Sequence, residues 1–254
     1  METHAHHLHQ APSHGWKHYF FEFLMLFLAV TLGFLAENQR ENYVEHHREK
    51  QFAKLLYADL EKDSQDIATT IDIKKWRARK IDSLFYFLSL PDLQENAKPI
   101  YYYRAYLDIN VPFRPNDATI QQLRSSASLR YLRNYRLYNA ITKYYSDCAA
   151  YFDASEPGAT ESLFAVAATT VKLFSADELY SIKSITPSIK DVVTYPTANM
   201  HLLTTDKLVI NEFKHYAKIM QMANDLSLLL LANLQKELNS LIEDLKKEYY
   251  LKNN

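Results

Sequence analysis

Three aspartates stand at helical spacing early in the polar part of the chain: Asp59, Asp63 and Asp66. Side chains three and four residues apart share one face of a helix, so these carboxylates would line up. Paired carboxylates can perform acid–base chemistry when their surroundings separate their pKa values. The polar neighbours Glu61 and Lys62 favour a simpler interpretation, in which this is a solvated helix face without a catalytic role.

Residues 101–145 are locally basic and rich in tyrosine. Such a mixture can bind phosphate or a polyanionic glycan. It can equally consist of arginine stems and tyrosine rings that cover the surface of a bundle. No nucleic-acid recognition motif accompanies it, so nucleic acid is not an expected partner. The residues predicted to form a partner-binding surface are Arg124, Arg130, Tyr131, Arg133 and Tyr135.

Other residue types that could perform chemistry form no recognised pattern. The histidines of METHAHHLHQAPSHG could bind a divalent metal, but we interpret residues 1–18 as a flexible tail without a folded site. The sequence lacks a Gly-rich phosphate loop, His-Glu-x-x-His and Gly-x-Ser-x-Gly. The single cysteine, Cys148, lies on an apolar helical stripe, which predicts a buried thiol. We therefore predict no enzyme activity and no cofactor.

Residues 19–36, YFFEFLMLFLAVTLGFLA, form a long apolar stretch. As a helix they span about 27 Å, close to the hydrocarbon core of about 30 Å. Their large apolar side chains favour insertion by roughly 5 kcal/mol, against a cost of at most about 3 kcal/mol for Glu22. Trp16 and Tyr19 suit the interface at one end. The sequence predicts a single transmembrane anchor with membrane lipid as its partner.

Glu22 lies about one helical turn inside this span. Its carboxylate can reach the near interface, where Lys17 or His18 would neutralise it. Alternatively, it faces another transmembrane helix, from a second copy or from a partner membrane protein. Both interpretations remain open at this point, and the second predicts a homo-oligomer or a membrane complex.

The basic residues around the span bear on its orientation. Lys17 precedes it, and four basic residues follow within about twenty positions. Taken alone, this asymmetry places the large domain in the cytoplasm. The four are Arg40, Arg48, Lys50 and Lys54.

Everything after the span reads as helix, so we predict an all-α fold in which residues 37–254 form a long-helix bundle. Only three glycines occur, which disfavours sheets with many tight turns. Two proline-containing stretches, 91–118 and 175–204, are the predicted irregular connections. The first predicted helix after the span covers 37–63, and a second helical run ends before Pro91. A third helix runs from about 117 or 128 to 153, a helical stretch resumes after Pro157 and Gly158 and continues to Phe174, and the last helix covers about 206–251. Leucines at alternating steps of three and four predict a packing seam for a bundle or a coiled coil in the last helix: Leu231, Leu234, Leu238, Leu241 and Leu245.

Two stretches resemble a family of uncharacterised bacterial single-pass membrane-anchored proteins, a domain of unknown function. The first is FEFLMLFLAVTLGFLAENQRE followed by LLYADLEKD, and the second is QLRSSASLRYLRNYRLYNAITKYY. The chain departs from the family pattern at its His-rich tail and at Ala127, where the family often has glycine. The resemblance implies a domain outside the inner membrane, against the charge asymmetry, and it implies no known activity.

These observations predict a membrane-tethered helical interaction or scaffold module, or a sensor-like module, of the bacterial cell envelope. The resemblance favours an inner-membrane protein whose large domain lies in the periplasm. One alternative is a subunit of a proton-driven membrane complex that uses Glu22. Another is an enzyme whose active site is assembled from distant residues and is therefore invisible in the sequence.

Overall fold

The computed structural model describes residues 15–126, 128–183 and 191–251. Residues 1–14 of the predicted flexible tail lie outside the described residues, while its last three residues, 16–18, already belong to a helix, so the predicted boundary at 18 is too late. The protein is 81% helical, and the described part contains no strand beyond two isolated bridges, Phe174 with Leu202 and Lys183 with Val193. The predicted all-α fold is confirmed.

The described residues form six α-helices. Two short 3-10 helices, Ala105–Asp108 and Ser128–Tyr131, extend the connections between them. The α-helices are α1 (Trp16–Phe87), α2 (Ala97–Arg104), α3 (Ala118–Ser125), α4 (Tyr135–Leu173), α5 (Ala176–Ser181) and α6 (Lys207–Tyr249).

The chain divides into two compact units, Met1–Gln51 and Phe52–Asn254. In the first unit, the described residues from Trp16 onward belong to α1, and nearly all of their side chains are exposed. The second unit contains the remainder of α1 and all the other helices. Its long helices are α4, α6 and the second part of α1, and they enclose an apolar interior.

Polar pairs show how these three helices run. On α4 and α6, Lys143 bonds to Glu237 at 2.8 Å and Lys172 to Glu212 at 2.9 Å, so the two helices are antiparallel. Between α1 and α6, Arg77 bonds to Asn224 at 3.3 Å, and Ser64, which is earlier on α1, bonds to Asn239, which is later on α6, at 3.4 Å. The second part of α1 is therefore also antiparallel to α6.

Two helix starts have side-chain caps that explain where they begin. Asp206 precedes α6, and its carboxylate accepts the backbone N–H groups of Leu208 at 2.7 Å and Val209 at 3.3 Å. Asn134 precedes α4 and accepts the N–H of Leu137 at 3.2 Å. Such caps satisfy backbone donors that a first helical turn leaves unpaired. The predicted start of the last helix at 206 is confirmed within one residue.

Pro157 does not end α4, contrary to the sequence-based expectation. The helix continues from Tyr135 to Leu173 through Pro157 and Gly158. Proline removes one helical hydrogen bond and crowds the preceding turn. Here side chains on both flanks, including Tyr151 and Val166, are buried in the bundle. This packing keeps the helix continuous where local sequence predicts a break.

The predicted irregular stretch 91–118 also contains more helix than expected. Helix α2 and the 3-10 turn after it occupy its centre, and their side chains are mostly buried. Ile100, Tyr101 and Leu107 belong to the apolar interior. The prolines at its two ends, Pro91 and Pro115, lie outside these helices.

The leucine seam of α6 faces inward. All five of its leucines are buried, and they pack with residues of α1 and α4. Of the two roles that the spacing allowed, the seam serves the bundle of this chain.

Candidate functional site

The apolar part of α1 is exposed along its whole length. Its most apolar window is long enough to cross a membrane, and none of it is buried. Phe23, Leu26, Val30 and Phe34 all present most of their surface to the surroundings. The described residues thus contain one candidate membrane-spanning helix, near the N-terminus.

Glu22 is exposed on this helix, as expected for a residue of the span. It forms no hydrogen bond or ion pair with any residue that the structure describes. Beyond the span, Glu37 and Arg40 form an ion pair with N–O distances of 2.5 and 3.0 Å. The hydrogen bonds from Arg40 lower the pKa of Glu37. The polar boundary predicted after Ala36 therefore begins with a charged pair.

The five residues predicted to bind a partner lie between the end of α3 and the start of α4. Arg124 and Arg133 are exposed, and the Arg130 guanidinium stacks over the Tyr131 ring at 5.3 Å. Tyr135 opens α4, is exposed and stacks on Tyr138 with ring centroids 6.2 Å apart. We call these five residues the basic–aromatic surface. Arg124 also lines a groove of about 420 Å³ beside Phe113 and Tyr145.

Other basic residues of the same stretch make contacts within the protein. Arg104 is buried and bonds to Asp108 at 2.5 Å and to the Thr170 hydroxyl at 3.0 Å. The Arg114 guanidinium stacks over Phe152 at 4.4 Å. These side chains stabilise packing between helices, so the positive surface is smaller than the sequence suggests.

The interpretation of the aspartates as a solvated face is wrong. Asp63 is fully buried, and its carboxylate accepts hydrogen bonds from the Asn116 backbone N–H at 2.7 Å and from its amide at 2.6 Å. The Tyr144 hydroxyl donates a third bond at 2.8 Å. Asp59 is partly buried and accepts the Thr119 N–H at 3.2 Å.

Burial dominates the titration of this cluster. It raises the pKa of Asp63, although the bonds from Asn116 and Tyr144 act in the opposite direction. It also raises the pKa of Tyr144 and brings that of Cys148 to about 12. The buried thiol predicted for Cys148 is confirmed. Because Asp63 is enclosed and fully bonded, its role is to hold the segment around Asn116 against α1, and the sequence missed these partners because they are distant along the chain.

A second buried polar group crosses the middle of the bundle, and no sequence signal was recognised for it. The Arg77 guanidinium donates to the carbonyls of Tyr106 at 3.1 Å and Leu107 at 2.9 Å, as well as to Asn224. Burial lowers the pKa of Arg77 to about 10, and nearby Asp108 opposes this change. The Tyr151 and Ser227 hydroxyls share a hydrogen bond of 3.0 Å.

These residues separate two apolar clusters. One contains Leu56, Leu60 and Leu238, and the other contains Leu84 and Phe213. Each long helix contributes buried polar side chains between them, and we call this set the polar layer: Lys74, Arg77, Ser155, Gln221, Asn224 and Ser227.

The polar layer lines one side of a cavity of about 40 Å³, large enough for a water molecule. Ser155 lines it, and its buried hydroxyl has no hydrogen-bond partner within the described residues. The break in the inward stripe of α6 at Asn224 and Ser227 is the sequence signal that could have revealed the layer.

No described group of three or more His, Cys, Asp or Glu side chains is placed to hold a metal ion. Comparison of the chain with protein-family models, curated proteins and solved structures found no match in any of the three. The site descriptions therefore rest on the geometry of this chain.

Proposed function

We propose that the chain is a membrane-tethered helical interaction module, with a scaffold or sensor-like role in the cell envelope and without catalysis. The observation that supports this most is the exposed apolar part of α1. Burying each large apolar side chain is worth roughly 1.5–3 kcal/mol, so a run of them left exposed needs a non-aqueous environment. Lipid provides that environment at the length this helix offers.

Membrane fractionation tests the tether. The full chain is expected in the membrane pellet, and it should resist extraction by high salt or alkali and dissolve in detergent. A variant that lacks residues 1–36 should be recovered in the soluble fraction with most of its helical circular dichroism signal. Recovery of the full chain in the soluble fraction would contradict the proposal.

We further propose that the protein belongs to the bacterial inner membrane, with its large domain in the periplasm. The family resemblance supports this orientation, and the excess of basic residues after the span opposes it. Glu95→Cys introduces a reporter at an exposed position, while Cys148 is buried and serves as an internal blank. An impermeant maleimide should label Glu95→Cys before the inner membrane is permeabilised. Labelling only after permeabilisation would place the domain in the cytoplasm.

The partner-binding role proposed for the basic–aromatic surface has its own test. Replacing Arg124, Arg130 and Arg133 together by glutamine removes positive charge while the helix propensity stays similar. Cross-linking in native membranes should then recover a partner several-fold less, with unchanged membrane anchoring. Arg79→Gln, at an exposed position on α1, is the matched control. Equal recovery from all variants would remove this surface from the proposal.

Glu22 keeps the proton-driven complex as a second candidate, because it is an exposed carboxylate within an apolar helix. Glu22→Leu should remain in the membrane, since the change makes the span more apolar by up to about 3 kcal/mol. If Glu22 faces another helix, its removal weakens assembly, because polar groups at such contacts contribute about 0.6–2 kcal/mol. Identical assembly in Glu22→Leu and the parent, with Glu41→Leu as control, would make Glu22 a boundary residue.

A further inference from the structure

The outward face of α6 exposes large apolar side chains in the middle of the helix. Ile219, Met222, Leu226 and Leu229 follow at steps of three, four and three residues and are 39%, 63%, 45% and 61% exposed. Residues at these steps lie on one helix face. We call them the back stripe, because they lie on the side of α6 opposite the buried leucine seam. The helix is thus apolar on two sides over this stretch.

The spacing of the back stripe is that of a helix–helix contact. Alternating steps of three and four are the pattern of a coiled-coil seam. Asn233, which is also exposed, occupies the next position of the same pattern, four residues after Leu229. An asparagine at such a position fixes the register of a parallel two-stranded contact by pairing with its counterpart. These features indicate that the back stripe binds another helix with the same pattern of residues.

We propose that the back stripe binds the back stripe of a second copy of this chain. The inference rests on the proposed membrane tether. Two copies inserted with the same topology are related by a rotation about the membrane normal, so they can present the same face to each other. A contact of this kind is isologous, and residues near its axis, such as Leu226 at the centre of the stripe, meet their own counterparts.

The size of the stripe indicates how strong this contact is. Four roughly half-exposed side chains present on the order of 300–400 Å² of apolar surface, which is the size of the largest apolar patch on a typical monomer, and such patches are often functional. Two copies would bury about 700 Å² in this way, less than the roughly 1,200–2,000 Å² of stable interfaces. The contact is therefore weak between free chains and depends on the high effective concentration that a shared membrane provides.

Disulfide cross-linking of the full chain in native membranes tests the contact directly. Leu226→Cys places a thiol at the centre of the stripe, and Ser146→Cys places one at an exposed position on α4. Cys148 is buried and does not compete. Under a mild oxidant, Leu226→Cys should form covalent dimer at least about tenfold faster than Ser146→Cys, because residue 226 lies in the proposed contact and residue 146 lies outside it. Equal rates in the two variants would overturn the proposal.

A second set of variants separates the stripe from general exposure of apolar side chains. In the Leu226→Cys background, Met222→Glu with Leu229→Glu should abolish the tenfold advantage, because the charges would be buried in the contact. Val171→Glu changes an equally exposed apolar residue on α4 and should leave the advantage intact. Circular dichroism confirms that both variants keep their helices. Loss of cross-linking in both variants, or in neither, would overturn the proposal.

Fractionation of the same samples distinguishes this inference from the proposed function. A chain that pellets with membranes and does not cross-link through the stripe overturns the second-copy contact and leaves the tether standing. A chain that stays soluble overturns the tether and, with it, the contact that depends on it.

Discussion

Asp63 on α1 receives two hydrogen bonds from one residue, Asn116, whose backbone N–H and side-chain amide both donate to the same carboxylate oxygen, at 2.7 and 2.6 Å. A carboxylate that accepts from both groups fixes the position and the direction of the chain at that point. The connection between the 3-10 turn at 105–108 and helix α3 is thereby held to α1 without any helix of its own.

Asp63→Ala should destabilise the protein by about 3 kcal/mol, because it leaves the buried Tyr144 hydroxyl and two partly buried donors of Asn116 without their acceptor. Asp66→Ala is the matched control, since the carboxylate of Asp66 pairs with the exposed Lys62 and its loss should cost less than about 1 kcal/mol. Thermal unfolding of the full chain in detergent measures both. Equal melting temperatures for the two variants would contradict the role assigned to Asp63.

Asp63 should also leave a mark on the pH dependence of stability. Its pKa is raised in the folded state, so the folded protein binds this proton more tightly than the unfolded chain does. The contribution of Asp63 is therefore largest below its ordinary pKa and declines as pH rises through the folded pKa. The stability of the parent relative to Asp63→Asn should therefore fall as pH rises from the ordinary pKa of an aspartate to the folded pKa of Asp63, and it should stay constant above that pH. A relative stability that rises with pH would show that the hydrogen bonds to Asp63 lower its pKa by more than burial raises it.

The fold class and the long outer helices follow from the sequence because apolar periodicity and caps are local signals. The start of α6 at Asp206 and the burial of Cys148 are examples. The continuity of α4 through Pro157 could not be predicted in this way, because packing at Tyr151 and Val166 overrides a local preference. The Asp63 cluster was equally inaccessible, since its donors lie 53 and 81 residues away along the chain.

The candidate surfaces also differ in how far the sequence predicts them. The sequence identifies the basic–aromatic surface by composition but overstates its charge, because the internal contacts of Arg104 and Arg114 depend on tertiary packing. On α6, the leucine seam stands out by residue type, yet it is buried. The back stripe is less uniform in composition, and only the exposure of Met222 and Leu226 shows which apolar face remains uncovered.

Cys148 should react slowly with thiol reagents in the folded protein. Burial raises its pKa to about 12 from an ordinary value near 9, so the thiolate fraction at pH 8 falls by about a thousandfold. Alkylation in mild detergent should therefore be at least about a thousandfold slower than in denaturant. Single-site alkylation followed by mass spectrometry gives both rates. A native rate within tenfold of the denatured rate would show that the thiol is accessible.

Removal of the Ser155 hydroxyl in the polar layer and of the Tyr151 hydroxyl, which bonds to Ser227 of the layer, should have different effects on stability. Ser155→Ala deletes a buried hydroxyl that has no partner among the described residues and should leave stability unchanged or raise it by up to about 1 kcal/mol. Tyr151→Phe deletes a bonded hydroxyl, leaves Ser227 unpaired and should cost about 1 kcal/mol. Denaturant unfolding of the two variants provides the comparison. A Ser155→Ala variant less stable than Tyr151→Phe would imply that the Ser155 hydroxyl is satisfied in solution.

The polar layer has a consequence for how the second unit opens. Each of its long helices passes through the layer once, and each apolar cluster is complete on its own side of it. Within the layer, the long helices meet through hydrogen bonds such as that from Arg77 on α1 to Asn224 on α6, in place of apolar side-chain packing. We therefore expect the two sides to open as separate cooperative units, so that amide hydrogen exchange samples the opening of either side at a lower free energy than global unfolding. The polar layer is thus the boundary at which one half of the domain can unfold locally while the other half keeps its apolar core.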